Sequence, residues 1–577
     1  MFLGTIATHW RALSVARRAV ILSLLTASAL WIMFLARMWW QPIVADDHLV
    51  YASAVNWPNS PMRVNPPFYM YSVRLFFSIF GSNVGSARLP GVLAGFATLF
   101  LIPPVVVLVL GKSEQAEWTA ALAVWLYTLS PQAVQNMMFI DIDTAFLSAA
   151  LLALIWLWLK IEPLPAWQRI ILLGLGFTLT LWVKLFSPVL TMGAICLFYL
   201  LQWRLRRFAE AVGAAFLGGA VFWLTFQSSL TSRYAFGYTG SYFSMLNILN
   251  PDNRRFIATV FPQGAGVVTL WLSVPIVILL AVAIKNSAQG WLKHQVDNVD
   301  ELILYGSGCT LAYTLVIFPA WGYPRYQAPF TLILLLVSAI TLAPALSQVA
   351  RPAWKVLAAI AVACLAFNLL IVGDPLLHLY LVTFETNTGQ IAARLKQGSL
   401  DALRMTALMP LALLIGFWTA PKLRVPRSAM LLAVTGILAV SGFAATTLIQ
   451  INARYSTRYR YGYGLDDMLQ AAQRVHDYVG PSGYIAAIDD VLFYTGRQGE
   501  GIYGLSTRSL MGEPSISLLD LMHRQRIDAL VWTTKDAVRN PDAVHTPEIE
   551  FTLRECYNQE TYGVFLVYLH KPGAACP

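Results

Sequence analysis

The sequence predicts a polytopic α-helical membrane protein of about thirteen spans with a C-terminal extracytoplasmic α/β domain of roughly 120 residues. Three observations point there. Of 577 residues, 57% are hydrophobic and only 12% are charged, about half the charged fraction of a soluble chain. That leaves too little polar surface to cover a globule, and a mean hydropathy of +0.59 makes lipid the solvent for much of the chain. Apolar runs near span length recur up to about residue 450, and after that the pattern changes to short alternating elements.

The runs lie near 19–38, 88–110, 117–137, 143–160, 168–183, 185–203, 208–228, 264–285, 302–320, 326–344, 354–373, 404–420 and 428–450. The fifth and sixth are short and separated only around Lys184, which also allows a re-entrant hairpin. The first run ends in Arg37-Met38-Trp39-Trp40 without a small-residue cleavage site, so it reads as a span and not as a cleaved signal.

Loop charge sets the expected orientation. With the N-terminus inside, the cytoplasmic loops collect sixteen Lys and Arg residues, among them Arg17, Arg18, Arg204, Arg206, Arg207, Lys422 and Arg427. Basic residues favour the inside. Residues 39–87, 138–142, 229–263, 321–325 and 374–403 then face outward together with the tail. The net charge of +10 is absorbed by this pattern, and no nucleic-acid partner is expected.

In the tail, LDDMLQAAQRVHDYV (465–479) and SLLDLMHRQR (517–526) read as helices, and 484–488, 528–533 and 563–569 as strands. Alternation of this kind predicts a small parallel or mixed sheet. Cys196, Cys309 and Cys364 fall inside apolar runs and read as small hydrophobes, whereas Cys556 and Cys576 share the tail as either a disulfide or two thiols.

The chemistry concentrates on the expected outer side. In residues 39–87, WWQPIVADDHLVYASAV places Asp46, Asp47 and His48 directly after the first span. MRVNPPFYMYSVRLFFSIFG continues with Asn65-Pro66-Pro67 before an aromatic helical run, which suggests two interfacial helices joined by a stiff turn. A second acidic pair, Asp141 and Asp143, stands between spans three and four; either residue is able to cap the fourth helix, Asp143 being the better candidate. Two carboxylate pairs at one face of a chain poor in acids form a functional-site pattern.

Outer cations include Arg63, Arg74, Arg88, Lys184, Arg233, Arg254, Arg255 and Arg325. Arg74 and Arg88 read as anchors to lipid headgroups. Lys184 and Arg325, the latter in WGYPRYQAPF between Tyr323 and Tyr326, have apolar and aromatic neighbours that strengthen pairing with a phosphate. His48 beside two acids is a weak candidate metal ligand.

Taken in order, the acid after the first span, the x-Pro-Pro-hydrophobic-Tyr motif, SARLPGVLAG opening the second span, the second acid, TLTLWVKLFSPV and RYQAPF resemble the GT-C fold membrane glycosyltransferases. The similarity is closest to the branch of the lipid A aminoarabinose transferase and the protein O-mannosyltransferases, and it covers about residues 19–450; the tail resembles the outer α/β domains of bacterial members. The resemblance implies a 1–450 catalytic membrane domain and a 451–577 periplasmic domain in a bacterial inner membrane. It implies inverting transfer of a sugar from a polyprenyl-phosphate donor to a lipid, glycan or protein acceptor. Asp46 is then the base that activates the acceptor, with Asp47 beside it. Asp141 or Asp143 orients substrate or a divalent metal ion, and Lys184 and Arg325 hold the donor phosphate with help from Tyr323 and Tyr326. This chain departs from the aminoarabinose branch where a Glu-Lys pair precedes Pro-Pro: Val64 and Asn65 stand there, and Arg63 is the nearest substitute cation. A transporter or flippase of a lipid-linked glycan is the alternative, disfavoured by the absence of an evident internal repeat and by acids at span ends instead of mid-span.

Overall fold

The structure is a computed structural model that describes the chain except for residues 1–9, 11, 40–50, 52–53, 55–65, 228–248, 294, 317–323, 373–395, 398–399, 401–402, 405, 453–464, 503–516, 534–545, 564 and 574–577. It divides into two compact units. One comprises Met1–Trp40, Ala54–Leu379 and Leu395–Ala453; the other comprises Arg454–Pro577 with Gln41–Ser53 and Tyr380–Arg394.

The first unit is helical. In chain order its main helices are α1 (Val15–Met38), α2 (Phe68–Phe80), α3 (Val84–Leu110), α4 (Glu114–Leu129), α5 (Pro131–Met138), α6 (Leu147–Lys160), α7 (Ala166–Val183) and α8 (Phe186–Leu201). They continue with α9 (Leu205–Phe226), α10 (Pro251–Leu272), α11 (Val274–Leu292), α12 (Asn298–Val316), α13 (Ala328–Ser347), α14 (Arg351–Phe367), α15 (Met409–Thr419) and α16 (Arg427–Asn452). Among the described residues, nine helical segments are long and apolar enough to cross a bilayer, so the chain is a multi-pass membrane protein. Where it is described, each expected run is mainly helical; among the described residues several runs are shorter than a full span or interrupted.

The interruptions have local causes. The run 117–137 is two helices, broken at Ser130, whose extended backbone precedes Pro131. The run 264–285 is broken at Ser273, where φ is 68° and Pro275 follows. By contrast α3 keeps Pro90, Pro103 and Pro104 within 27 helical residues, as membrane helices packed against neighbours can. Side-chain caps start several helices: Ser14 accepts from the Arg17 amide at 3.1 Å, Asn83 from Ser86 at 2.9 Å and Ser113 from Ala116 at 3.1 Å. Of the two helices expected in the first outer loop, α2 begins directly after Pro66-Pro67, and the other lies outside the described residues.

Small residues set the close helix contacts that fix the site. A Cβ on Gly218 of α9 would come within 2.5 Å of the Gly174 carbonyl oxygen of α7, and Thr178 donates to the Gly218 carbonyl at 3.0 Å. Only a side chain no larger than hydrogen allows this approach. It holds α7, whose end carries Lys184. Likewise a Cβ on Gly91 of α3 would meet the Met137 carbonyl at 3.2 Å, which brings α5 and the Asp141 segment against α3.

The second unit holds α17 (Leu465–Tyr478), β1 (Tyr484–Ala487), α18 (Asp489–Thr495), β2 (Gln498–Gly501), α19 (Leu518–Arg524), β3 (Ala529–Thr533), α20 (Pro547–Cys556), β4 (Tyr557–Tyr562) and β5 (Phe565–His570). The five strands form one mixed sheet in the order β2-β1-β3-β5-β4, parallel across the first three and antiparallel beyond. β1 and β3 are buried along almost their whole length. Tyr51, from the first expected outer loop, packs edge to face on Phe493 of this unit at 5.2 Å. Cys556 is disulfide-bonded, while Cys196, Cys309 and Cys364 are free.

Arg474 of α17 clamps Glu560 of β4 through Nε to Oε2 at 2.8 Å and Nη2 to Oε1 at 2.7 Å. These bonds hold the Glu560 carboxyl below its ordinary range against a smaller opposing effect of burial. The stabilisation is therefore complete above the ordinary glutamate pKa and is lost as pH falls through the lowered one. Both side chains are about a third exposed, so screening limits the pair to about 1 kcal/mol or less. Glu560→Gln is expected to lower the melting temperature at neutral pH by the equivalent of about 1 kcal/mol or less, to flatten the acid limb of a melting-temperature-against-pH curve, and to converge with wild type below the lowered carboxyl pKa.

Candidate active site

Four charged side chains meet inside the helical unit as two ion pairs. Arg325 Nη1 lies 3.0 Å from Asp141 Oδ2, and Lys184 Nζ donates to Asp143 Oδ1. All four residues are at least nine-tenths buried. Charges this dry persist only when paired.

Local sequence explains each placement. Asp141 has an extended backbone before the π-helical turn Ile142–Phe146, and its carboxylate accepts from the Asp143 amide at 3.2 Å. Asp141 is thus the capping residue. The expectation that Asp143 caps the fourth helix is corrected: the turn sends that carboxylate to Lys184 instead. Thr144, with φ −103° and ψ −119°, marks the kink in the turn, and its hydroxyl donates to the Asp141 carbonyl at 3.0 Å.

Lys184 ends α7 in an extended conformation, and α8 restarts at Phe186 with Pro188 in its first turn, where a missing amide is tolerated. Arg325 sits in the tight turn Pro324–Gln327 that opens α13, closed by the Gln327 amide on the Pro324 carbonyl at 3.2 Å.

Aromatic rings complete the cluster. Lys184 Nζ lies 4.9 Å from the Tyr326 ring centre and the Arg325 guanidinium 4.7 Å from it, so one ring serves two cations. Arg325 Nη2 also donates to the Tyr326 hydroxyl at 2.7 Å. Tyr313 of α12 lies nearly parallel to Tyr326, with centroids 6.5 Å apart, and its hydroxyl pairs with Ser187 at 2.5 Å, three residues beyond Lys184.

Two amides secure the Arg325 turn. Gln132 of α5 donates to the Pro324 carbonyl at 3.3 Å and accepts from Thr331 of α13 at 2.7 Å. Gln327 is fully buried in the turn itself. Sequence reading singled out neither amide nor Tyr313 and Ser187. For Gln132 the available signal is QAVQN (132–136), three amides at the end of an apolar stretch, the last of them five positions before Asp141.

An apolar groove of about 640 Å³ runs between α2, α3, α6 and α7, lined by residues such as Phe68, Leu93, Ala97, Ala153 and Leu179. Its lining includes Phe146 and Val183, which are three residues from Asp143 and next to Lys184 in the chain.

Of the residues expected at the site, the structure brings together Asp141, Asp143, Lys184, Arg325 and Tyr326. Asp46, Asp47, His48, Arg63 and Tyr323 lie outside the described residues. The expectation for Arg74 and Arg88 is corrected: Arg88, 2% exposed, donates to the Trp39 carbonyl, and Arg74 donates to the Ala54 carbonyl at 3.1 Å, so both tie the chain to itself. Among the described residues no three His, Cys, Asp or Glu side chains group as a metal site. Asp141 and Asp143 fit cations of the chain's own, so a divalent ion finds no ready donor set in them.

Residues 64–231 match the model of the dolichyl-phosphate-mannose-protein mannosyltransferase family. No curated protein sequence matches the chain. Among solved structures it is similar to ArnT from Cupriavidus metallidurans bound to undecaprenyl phosphate, with a TM-score of 0.54 and 14% identity over 97% of this chain and 99% of that one. The same enzyme in its apo state gives a TM-score of 0.52 and 14% identity over 98% and 100% of the two chains. The chain therefore has the ArnT-like GT-C fold, and its residues 64–231 carry the sequence pattern of the mannosyltransferase family.

Proposed function

We propose that this protein is an inverting glycosyltransferase that moves a sugar from a polyprenyl-phosphate donor to a hydroxyl of a lipid, glycan or protein acceptor on the outer face of a bacterial cytoplasmic membrane. The observation that carries the reading is the pair of buried cations, Lys184 and Arg325, over one tyrosine ring, beside a groove suited to an isoprenoid chain. A phosphate head and an apolar tail call for that combination. The ArnT relative with bound undecaprenyl phosphate supports the same assignment of donor.

The chemistry follows from charge. A polyprenyl-phosphate sugar is a phosphodiester with one negative charge. The acceptor oxygen forms a bond to the anomeric carbon as the carbon–oxygen bond to phosphate breaks, and the phosphate departs as a monoester of higher charge. Lys184 and Arg325 stabilise that added charge, which is larger in the transition state than in the bound donor. Asp141 and Asp143 hold the cations in place. Asp46, assigned by resemblance, takes the proton of the acceptor hydroxyl, and Asp47 stands beside it as a second acid.

Two features support the outer face. The loop charges favour it, and the disulfide at Cys556 suits an oxidising compartment.

The test is release of polyprenyl phosphate by the purified full chain in lipid, given polyprenyl-phosphate sugars and membrane acceptors. Ala153→Trp, which fills the groove, is expected to raise KM for long-chain donors about tenfold, the equivalent of one or two lost isoprene contacts. Short-chain donors should be little affected. No release from any donor and acceptor combination ends the proposal.

A further inference from the structure

The break between α10 and α11 carries oxygen atoms that nothing else in the described chain uses. Ser273 stands there with φ 68° and ψ 150°, a backbone region confined essentially to glycine. A serine before a helix ordinarily caps it, yet the Ser273 side chain makes no cap bond to α11. Its buried hydroxyl has no hydrogen-bond partner. Asn368, 3% exposed, ends α14 at the start of the π-helical turn Asn368–Val372. Its Oδ1 is likewise buried without a partner. Both residues line one cavity of about 40 Å³, so two helix irregularities bring an unspent oxygen each to the same small space.

Buried acceptors left unpaired are unfavourable, and these two point to a ligand. The lining indicates its chemistry. Thr406 and Thr446 add hydroxyls, the rest is apolar or aromatic, and no charged side chain lines the cavity among the described residues. The C-terminal end of α10, which closes at Leu272, carries partial negative charge. The facing start of α11 is weaker as a positive end, because Pro275 has no amide to present. Oxygens of this kind suit a small hard cation of single charge, whereas a divalent ion brings a second charge that the lining does not neutralise. Broken helix ends and neutral oxygens hold alkali cations in this way inside membranes. We infer that the cavity binds one monovalent alkali cation through Asn368 Oδ1 and the Ser273 hydroxyl. Pro131, the first residue of α5, lines the same cavity, and the next residue, Gln132, fastens the turn that carries Arg325. The ion thus braces α5 without touching the four paired charges.

The test measures melting temperature and ion binding of the full-length protein in lipid nanodiscs, in sodium, potassium or choline chloride at one ionic strength. Choline is too large for the cavity. The wild type should melt higher in at least one alkali salt than in choline chloride. It should also bind one radiolabelled sodium ion, or one rubidium ion standing in for potassium, per chain. Ser273→Gly removes the hydroxyl and suits the backbone. It should melt higher than wild type in choline chloride and yet bind the ion about tenfold more weakly. Asn368→Asp sets a full negative charge against the ion and should bind it about tenfold or more tightly.

Equal melting in all three salts with no bound ion means that the cavity holds water only, and overturns the inference. Alkali binding left unchanged by either substitution belongs elsewhere in the protein and overturns it too. A Ser273→Gly variant that loses affinity together with melting temperature has a folding defect, and Asn368→Asp then decides: unless it tightens binding, the inference falls. Sugar transfer is read in none of these arms, so the proposed reaction stands or falls separately.

Discussion

Lys184→Met is expected to lower polyprenyl-phosphate release by about 10²–10³ and to destabilise the protein by about 3–5 kcal/mol. Adding Asp143→Asn should restore most of the stability and none of the activity. The argument turns on burial. Lys184 and Asp143 side chains are only 3% and 6% exposed, so removing the lysine leaves a carboxylate in a low-dielectric site with no compensating cation. Neutralising that carboxylate removes the penalty, because two uncharged groups of similar size need no pairing. The catalytic loss has a different origin, the missing positive charge at the departing phosphate, and Asp143→Asn does nothing to replace it. Thermal melting and release rates for the two singles and the double form a cycle that separates the roles. A double variant that recovers transfer along with stability would show that Lys184 serves only to neutralise Asp143.

The same pair shows how far the sequence could be read. Lys184 and Arg325 stood out as cations among aromatic residues, and both reached the site. Which acid each would meet was hidden. Asp143 and Lys184 are 41 residues apart, and only the extended backbone at Asp141 decides which carboxylate caps the turn and which is sent across. Gln132 and Gln327 were hidden for another reason: an amide in sequence looks the same whether it is solvated or buried, and burial is a tertiary property. Span positions were legible because apolar length is written in the chain. Their interruptions were partly so. Ser130 precedes a proline, whereas Ser273 is an ordinary residue driven to positive φ by its surroundings. In the tail, β1, β3 and β5 announced themselves by apolar content. β2 is QGEG and β4 is YNQETY; both are edge strands whose residues have little core to face, so no hydrophobic pattern marks them.

Asp46→Asn is the substitution that decides between an enzyme and a carrier. An asparagine cannot take the acceptor proton, so transfer should fall by about 10²–10⁴. The variant should still bind polyprenyl phosphate within about twofold of wild type, because the proposed phosphate contacts belong to Lys184 and Arg325. The loss therefore belongs in kcat, with donor KM little changed. Asp47→Asn is the necessary companion. Adjacent residues in any regular backbone point different ways, so the two acids are not interchangeable, and Asp47→Asn should cost about tenfold or less. A larger loss at Asp47 than at Asp46 would exchange their roles without changing the chemistry. Equal activity of both variants with wild type would remove base catalysis by this pair. A flippase or scaffold has no proton to move from an acceptor, so on those readings Asp46→Asn leaves function intact, and donor binding with undiminished function in that variant would favour them over transfer.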